Sequence, residues 1–171
     1  MKKGSRQWSF FCLLVLISVL LPSISLGQTK NNTLERKRIS QILFKLGNNI
    51  TAIEKYIDRG ASLTERDPGG YTILHQAVQL KSLELVEFLL DRKADINAKV
   101  IPPKSSSSQR GYTPLMLAVN NRDYEIVNVL LSNGANVNIK GENGKTALAI
   151  AEAYGSDDML SEWLRDVGGT Y

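Results

Sequence analysis

Three segments of the 171-residue chain are versions of one another: Gly70–Ala77 (GYTILHQA), Gly111–Ala118 (GYTPLMLA) and Gly144–Ala151 (GKTALAIA). The second and third begin 33 residues apart and the first and second 41, eight more than one period. Downstream of each lies a second apolar group at a constant offset: Leu85, Val86, Leu89 and Leu90; Ile126, Val127, Leu130 and Leu131; Met159, Leu160, Trp163 and Leu164. One period upstream, Ile53, Tyr56 and Ile57 followed by Gly60, Ala61 and Leu63 supply the second half of a fourth unit. A fixed period of this size means one supersecondary unit repeated along an array, so the chain is expected to stack units rather than build a single closed core.

Within a unit the spacing is helical, and both helices carry start signals. Thr72, Thr113 and Thr146 can N-cap a first helix, with Pro114 in the first turn, where a missing N–H costs nothing. Asn49, Ser82, Asp123 and Ser156 stand at one aligned position and predict the N-cap of a second helix. The preceding position holds Asn48, Lys81, Arg122 and Gly155, where a left-handed turn strains any residue but glycine. Upstream, Ile39, Ile42, Leu43 and Leu46 form a helical stripe out of phase with the repeats and predict a capping helix over 34–46. Lys37, Lys45 and Asn48 at one end of the array, and Glu162, Arg165 and Asp166 at the other, offer the polar faces that end units need.

The period of 33, Thr72–Ala77 in the pattern T-x-L-H-x-A, Thr113–Leu115 as T-P-L and Gly134–Asn138 as G-A-N-V-N resemble ankyrin repeats over roughly residues 36–167. The resemblance implies an all-α solenoid of about four helix-pair repeats with short hairpin-like finger loops. Residues 36–66 are then a degenerate N-terminal capping repeat, 67–99 and 108–140 full repeats, 100–107 a loop insertion, and 141–171 a C-terminal capping repeat.

Residues 1–27 belong to a different object. Lys2, Lys3 and Arg6 precede an apolar run from Phe10 to Leu21, which Pro22 breaks, and Ser25 and Gly27 put small residues before a cut ahead of Gln28. This is the pattern of a secretory signal peptide, with 28–35 a linker to the array and a periplasmic or secreted destination. An uncleaved anchor or a buried core helix are the alternatives. A dozen residues rise only about 18 Å, short of the roughly 30 Å of hydrocarbon, and no stable membrane span is expected after cleavage. Cleavage would also remove Cys12, the sole cysteine. The formal charge of +4 falls to +1, 18 basic against 17 acidic residues, so the apparent basicity is mostly targeting signal. With no Gly-rich phosphate loop and no aromatic-interleaved basic stripe, no nucleic-acid role is expected.

Catalysis has little to work with. His75 is the only histidine and is expected to bond locally within its helical turn; its aligned positions are Met116 and Ala149. No metal site or cofactor is expected: Asp67, Asp95, Asn97, Asn136 and Asn138 recur one or two at a time, a repeat apart, as turn formers rather than converging calcium ligands. The sequons at Asn31 and Asn49 are short enough to arise by chance.

The function implied by the resemblance is protein binding by a non-enzymatic, monomeric module. Carried over by position, its surface comprises Pro68, Gly69, Tyr71, Arg110, Tyr112, Glu142, Asn143 and Lys145 on the fingers and Gln79, Leu80, Asn120, Asn121, Ala153 and Tyr154 on the first helices. From the insertion it adds Ile101, Pro102 and Lys104, within a stretch read as exposed, stiff apolar residues (Val100–Pro103) followed by serines. The insertion either binds or is a passive loop; deleting Ile101–Ser108 is expected to restore the period with little loss of stability. An inhibitor or immunity-type protein that neutralises a toxin or envelope enzyme is a narrower alternative. An enzyme, or a chaperone-like supporter of an envelope enzyme, is an alternative of another class.

Overall fold

The computed structural model describes residues 44–102, 109–155 and 158–170. Among these, every regular element is an α-helix: α1 (Ile50–Asp58), α2 (Ile73–Gln79), α3 (Leu83–Asp91), α4 (Pro114–Asn120), α5 (Tyr124–Ser132), α6 (Ala147–Glu152) and α7 (Met159–Asp166). The solenoid expected from the repeats is the observed architecture. The first helices α2, α4 and α6 pack side by side in one layer, and each also packs on its own second helix, α3, α5 or α7. Most of the predicted capping helix lies outside the described residues; Phe44–Asn48 form turns that lead into α1.

Helices α1 to α6 begin where the sequence places their caps. Thr113 and Thr146 accept from the N–H groups of Met116 and Ala149, Asn49 from Ala52 and Asp123 from Ile126. Each bond satisfies an N–H that the helix itself leaves orphaned. Apolar burial then fixes the layers. In α4 every residue from Pro114 to Val119 is buried, because this helix has neighbours on both sides and a partner behind it. Arg92, at the C-terminus of α3, ties its repeat to the preceding one by pairing with Glu54 at 2.6 Å and Asp58 at 3.3 Å.

The last helix departs from the period. Its N-cap is Asp158, two residues beyond the expected Ser156, which lies outside the described residues. The buried trio Ile126, Val127 and Leu130 of α5 is matched in α7 by Leu160, Ser161 and Leu164, an offset of 34 instead of 33. Met159 and Trp163, placed by the period among the core residues, are respectively exposed and half-buried. Burial of Leu160 and Leu164, one helical turn apart, outweighs the period here.

The insertion also differs from expectation. Val100 is fully buried and Pro102 is buried; only Ile101 of the described apolar trio is exposed. Val100 is bonded on both sides: its N–H donates to the Tyr112 carbonyl at 2.8 Å and its carbonyl accepts from the Gly111 N–H at 2.9 Å. The base of the insertion is thus a closed stem inside the solenoid. Pro103, Lys104 and the serines lie outside the described residues.

Candidate protein-binding surface

The first finger is organised by a side chain that bonds its own backbone. Asp67 Oδ1 accepts from the N–H groups of Gly69 and Tyr71, both at 2.9 Å, and Oδ2 accepts from Gln76 Nε2 at 2.9 Å. This is the turn-forming role expected of the recurring Asp and Asn residues; Asp95 and Asn136 hold the later turns in the same way, through the Asn97 and Asn138 N–H groups. Fingers are linked in series: the Gly70 carbonyl accepts from the Ile101 N–H and the Arg110 carbonyl from the Glu142 N–H. Gly70 has φ +84°, and a Cβ there would lie 2.2 Å from the Ile101 carbonyl, so both its conformation and that close approach require glycine.

On this frame Pro68, Glu142, Asn143 and Lys145 are exposed, and Gly69, Tyr71 and Arg110 are half-buried. The Tyr71 hydroxyl donates to Gln109 at 2.8 Å, while Arg110 pairs with Glu142 and donates to the Pro102 carbonyl at 3.1 Å. Tyr112, expected as an aromatic anchor on the fingers, is buried. Its hydroxyl accepts from Asn143 Nδ2 at 3.2 Å and its backbone holds Val100, so it braces the stem beneath the fingers. Pro102 is likewise buried, Ile101 is exposed, and Lys104 lies outside the described residues.

The C-terminal ends of the first helices form the second part of the surface. Leu80, Asn121 and Tyr154 occupy one aligned position in successive repeats; Leu80 is 52% and Tyr154 50% exposed, and Asn121 between them is half-buried. Gln79 and Ala153 are exposed and Asn120 is half-buried. The Tyr154 hydroxyl donates to the Asn120 carbonyl at 3.1 Å, and the Arg122 guanidinium lies 5.5 Å over its ring, so this aromatic is held in place while half of it faces water.

Two segments match family descriptions: residues 69–100 match "Ankyrin repeat", and residues 105–151 match "Ankyrin repeats (many copies)". These two segments carry ankyrin repeats. A segment of 45 residues, 26% of the chain, is 40% identical to an ankyrin repeat protein of Rickettsia bellii (strain RML369-C), of which it spans only 13%.

The ankyrin frame accounts for His75. Its Nδ1 accepts from the Thr72 N–H at 3.1 Å and lies 2.7 Å from the Thr72 hydroxyl, closing a capping box, and its Nε2 donates to the Tyr112 carbonyl at 3.2 Å in the next ankyrin unit. Burial pushes its pKa down to about 4, so the ring is neutral at pH 7 and both nitrogens are engaged in structure. The histidine is a strut between two repeats.

Sequence reasoning missed Arg66, which donates to the Gly70 carbonyl at 3.0 Å and to the Lys99 carbonyl at 2.6 Å, supporting the first finger. It also missed a hollow of about 650 Å³ lined by Phe44, Lys45, Arg66, Asp67, Pro68 and Gln76. Phe44 and Lys45 lie upstream of the units that repeat in full, so periodicity carried no signal for them.

Proposed function

We propose that the chain is an exported, non-enzymatic protein-binding module whose partner contacts the fingers and the first-helix ends. The observation that carries the reading is the aligned row Leu80, Asn121 and Tyr154: an apolar and an aromatic side chain, each half exposed, on elements fixed by full burial behind them. Rigid aromatic and apolar groups lose little entropy on binding and supply the kind of contact that dominates interfaces. At the other ends of the first helices the exposed finger residues Glu142, Asn143 and Lys145 add polar and charged groups, beside the exposed Pro68. Export rests on residues 1–27: three basic residues, an apolar run too short to span hydrocarbon, and small residues before Gln28.

Affinity capture from the exported fraction, with partners identified by mass spectrometry, tests both parts. A stable protein partner is expected with the wild-type chain, and its loss on combining Leu80→Glu with Tyr154→Ala. Equal recovery by that variant removes the row from the interface, and recovery of nothing under several conditions removes the binding reading. N-terminal sequencing of the exported chain is expected to start at Gln28; a retained Met1 would overturn cleavage.

A further inference from the structure

The opposite layer carries a second feature, linked to the surface just described through Arg122, which lies over the Tyr154 ring and donates to the Tyr124 hydroxyl at 3.0 Å. α5 packs on α3 more closely than on α7, and the space between α5 and α7 is a groove of about 510 Å³ lined by Tyr124, Glu125 and Asn128 from one helix and Met159, Glu162, Trp163 and Asp166 from the other. The offset of 34 creates it. By placing Leu160 and Leu164 in the core, α7 turns Met159 outward, 61% exposed, and leaves Trp163 and Tyr124 half-buried along the groove wall. An apolar cleft holding a thioether and two aromatic rings is an adaptable docking floor.

Its rim is of one sign. Glu125, Glu162 and Asp166 are exposed, whereas the ion pairs among the described residues use Glu54, Asp58, Glu142, Asp158 and Glu152. The two nearby cations are already engaged: Arg122 with Asp158 at 2.7 Å, and Arg165 with Glu152. An apolar floor between unpaired carboxylates is complementary to a helix with an apolar stripe flanked by Lys and Arg.

We propose that this groove docks a basic amphipathic segment of a partner protein, its apolar residues seated on Met159 and Trp163 and its cations on Glu125, Glu162 and Asp166. The probe is a fluorescein-labelled Leu/Lys peptide of about 14 residues, roughly four helical turns, with its leucines on one face. A scrambled Leu/Lys peptide and a Leu/Glu peptide of the first pattern accompany it. With the full-length chain, fluorescence anisotropy is expected to show saturable binding of the first peptide, about tenfold weaker binding of the scrambled one and none of the Leu/Glu one. Combining Met159→Ala with Glu162→Lys, both at exposed positions, is expected to weaken the first by at least about tenfold with helical circular dichroism unchanged, while Leu80→Glu leaves it unaltered. Equal binding of the Leu/Glu peptide, or affinity unchanged in the groove variant, would overturn the proposal. A concentration-dependent dimer in sedimentation, dissolved by Met159→Glu, would also overturn it by assigning the groove to a second copy of the chain.

Discussion

Among the described residues, three without the freedom of glycine stand at left-handed positions: Lys81 at φ 53°, Lys93 at 63° and Arg122 at 54°. Gly60 and Gly134 stand where Lys93 does in the neighbouring repeats, at 91° and 84°. The side chain of Lys93 is exposed, so Lys93→Gly relieves strain while exposing no core, and a gain of about 1 kcal/mol is expected in urea denaturation. The same change at Arg122 would gain nothing, because it forfeits the Asp158 pair and the contact with Tyr154. His75 sets the acid response. Its folded pKa, about 4, lies below the ordinary 6.5, so at pH 7 folded and unfolded chains are both neutral there. As pH falls below 6.5 the unfolded chain takes up a proton that the buried ring refuses; the contribution of His75 to stability declines until about pH 4 and then flattens, a loss on the order of 3 kcal/mol. The difference in unfolding free energy between wild type and His75→Gln, measured at pH 7 and pH 4.5, is expected to shrink as the pH is lowered.

At the scale of elements, cap and period reasoning agree with the structure wherever a local signal acts alone. Thr113, Thr146, Asn49 and Asp123 cap the helices that their spacing predicts. The same reasoning fails where tertiary burial competes with it: α7 slides by one residue to bury Leu160 and Leu164, and Val100 leaves the insertion to join the core. Neither contest is visible in spacing, because its outcome depends on the cavity that the neighbouring repeat offers. Val100 changes what deletion of Ile101–Ser108 should do. That cut removes the Ile101 N–H bond to Gly70 and the Pro102 carbonyl that accepts from Arg110, so a loss of about 2 kcal/mol and a lower melting temperature are expected, contrary to the sequence reading. Scanning calorimetry of the deletion, with Val100→Ala as a reference for damage to the stem, measures it. An unchanged melting temperature would show that the regular spacing restores equivalent bonds.

Across the whole molecule, stability is a chain of neighbour contacts, and its weight falls in the middle. α4 packs against α2, α5 and α6 at once, so Leu117→Ala is expected to cost about 3–5 kcal/mol, more than Ile53→Ala in α1; urea midpoints at constant slope check the order. The candidate surface was legible to the extent that it follows the repeat, as at Leu80 and Tyr154. It was illegible where a side chain from one unit serves the next, as with Tyr112 under the fingers and Arg66 behind them. At the far end, Asn138 Oδ1 accepts from the Thr170 N–H at 2.8 Å, just as Asn97 Oδ1, at the matching place one repeat earlier, accepts from the Asn136 N–H at 2.9 Å. Thr170 therefore takes, in unit 141–171, the place that Asn136 takes in the unit before it. A consensus repeat inserted between two such turns would keep one of these links on each side, which makes the asparagine link a register mark for lengthening the array by protein engineering.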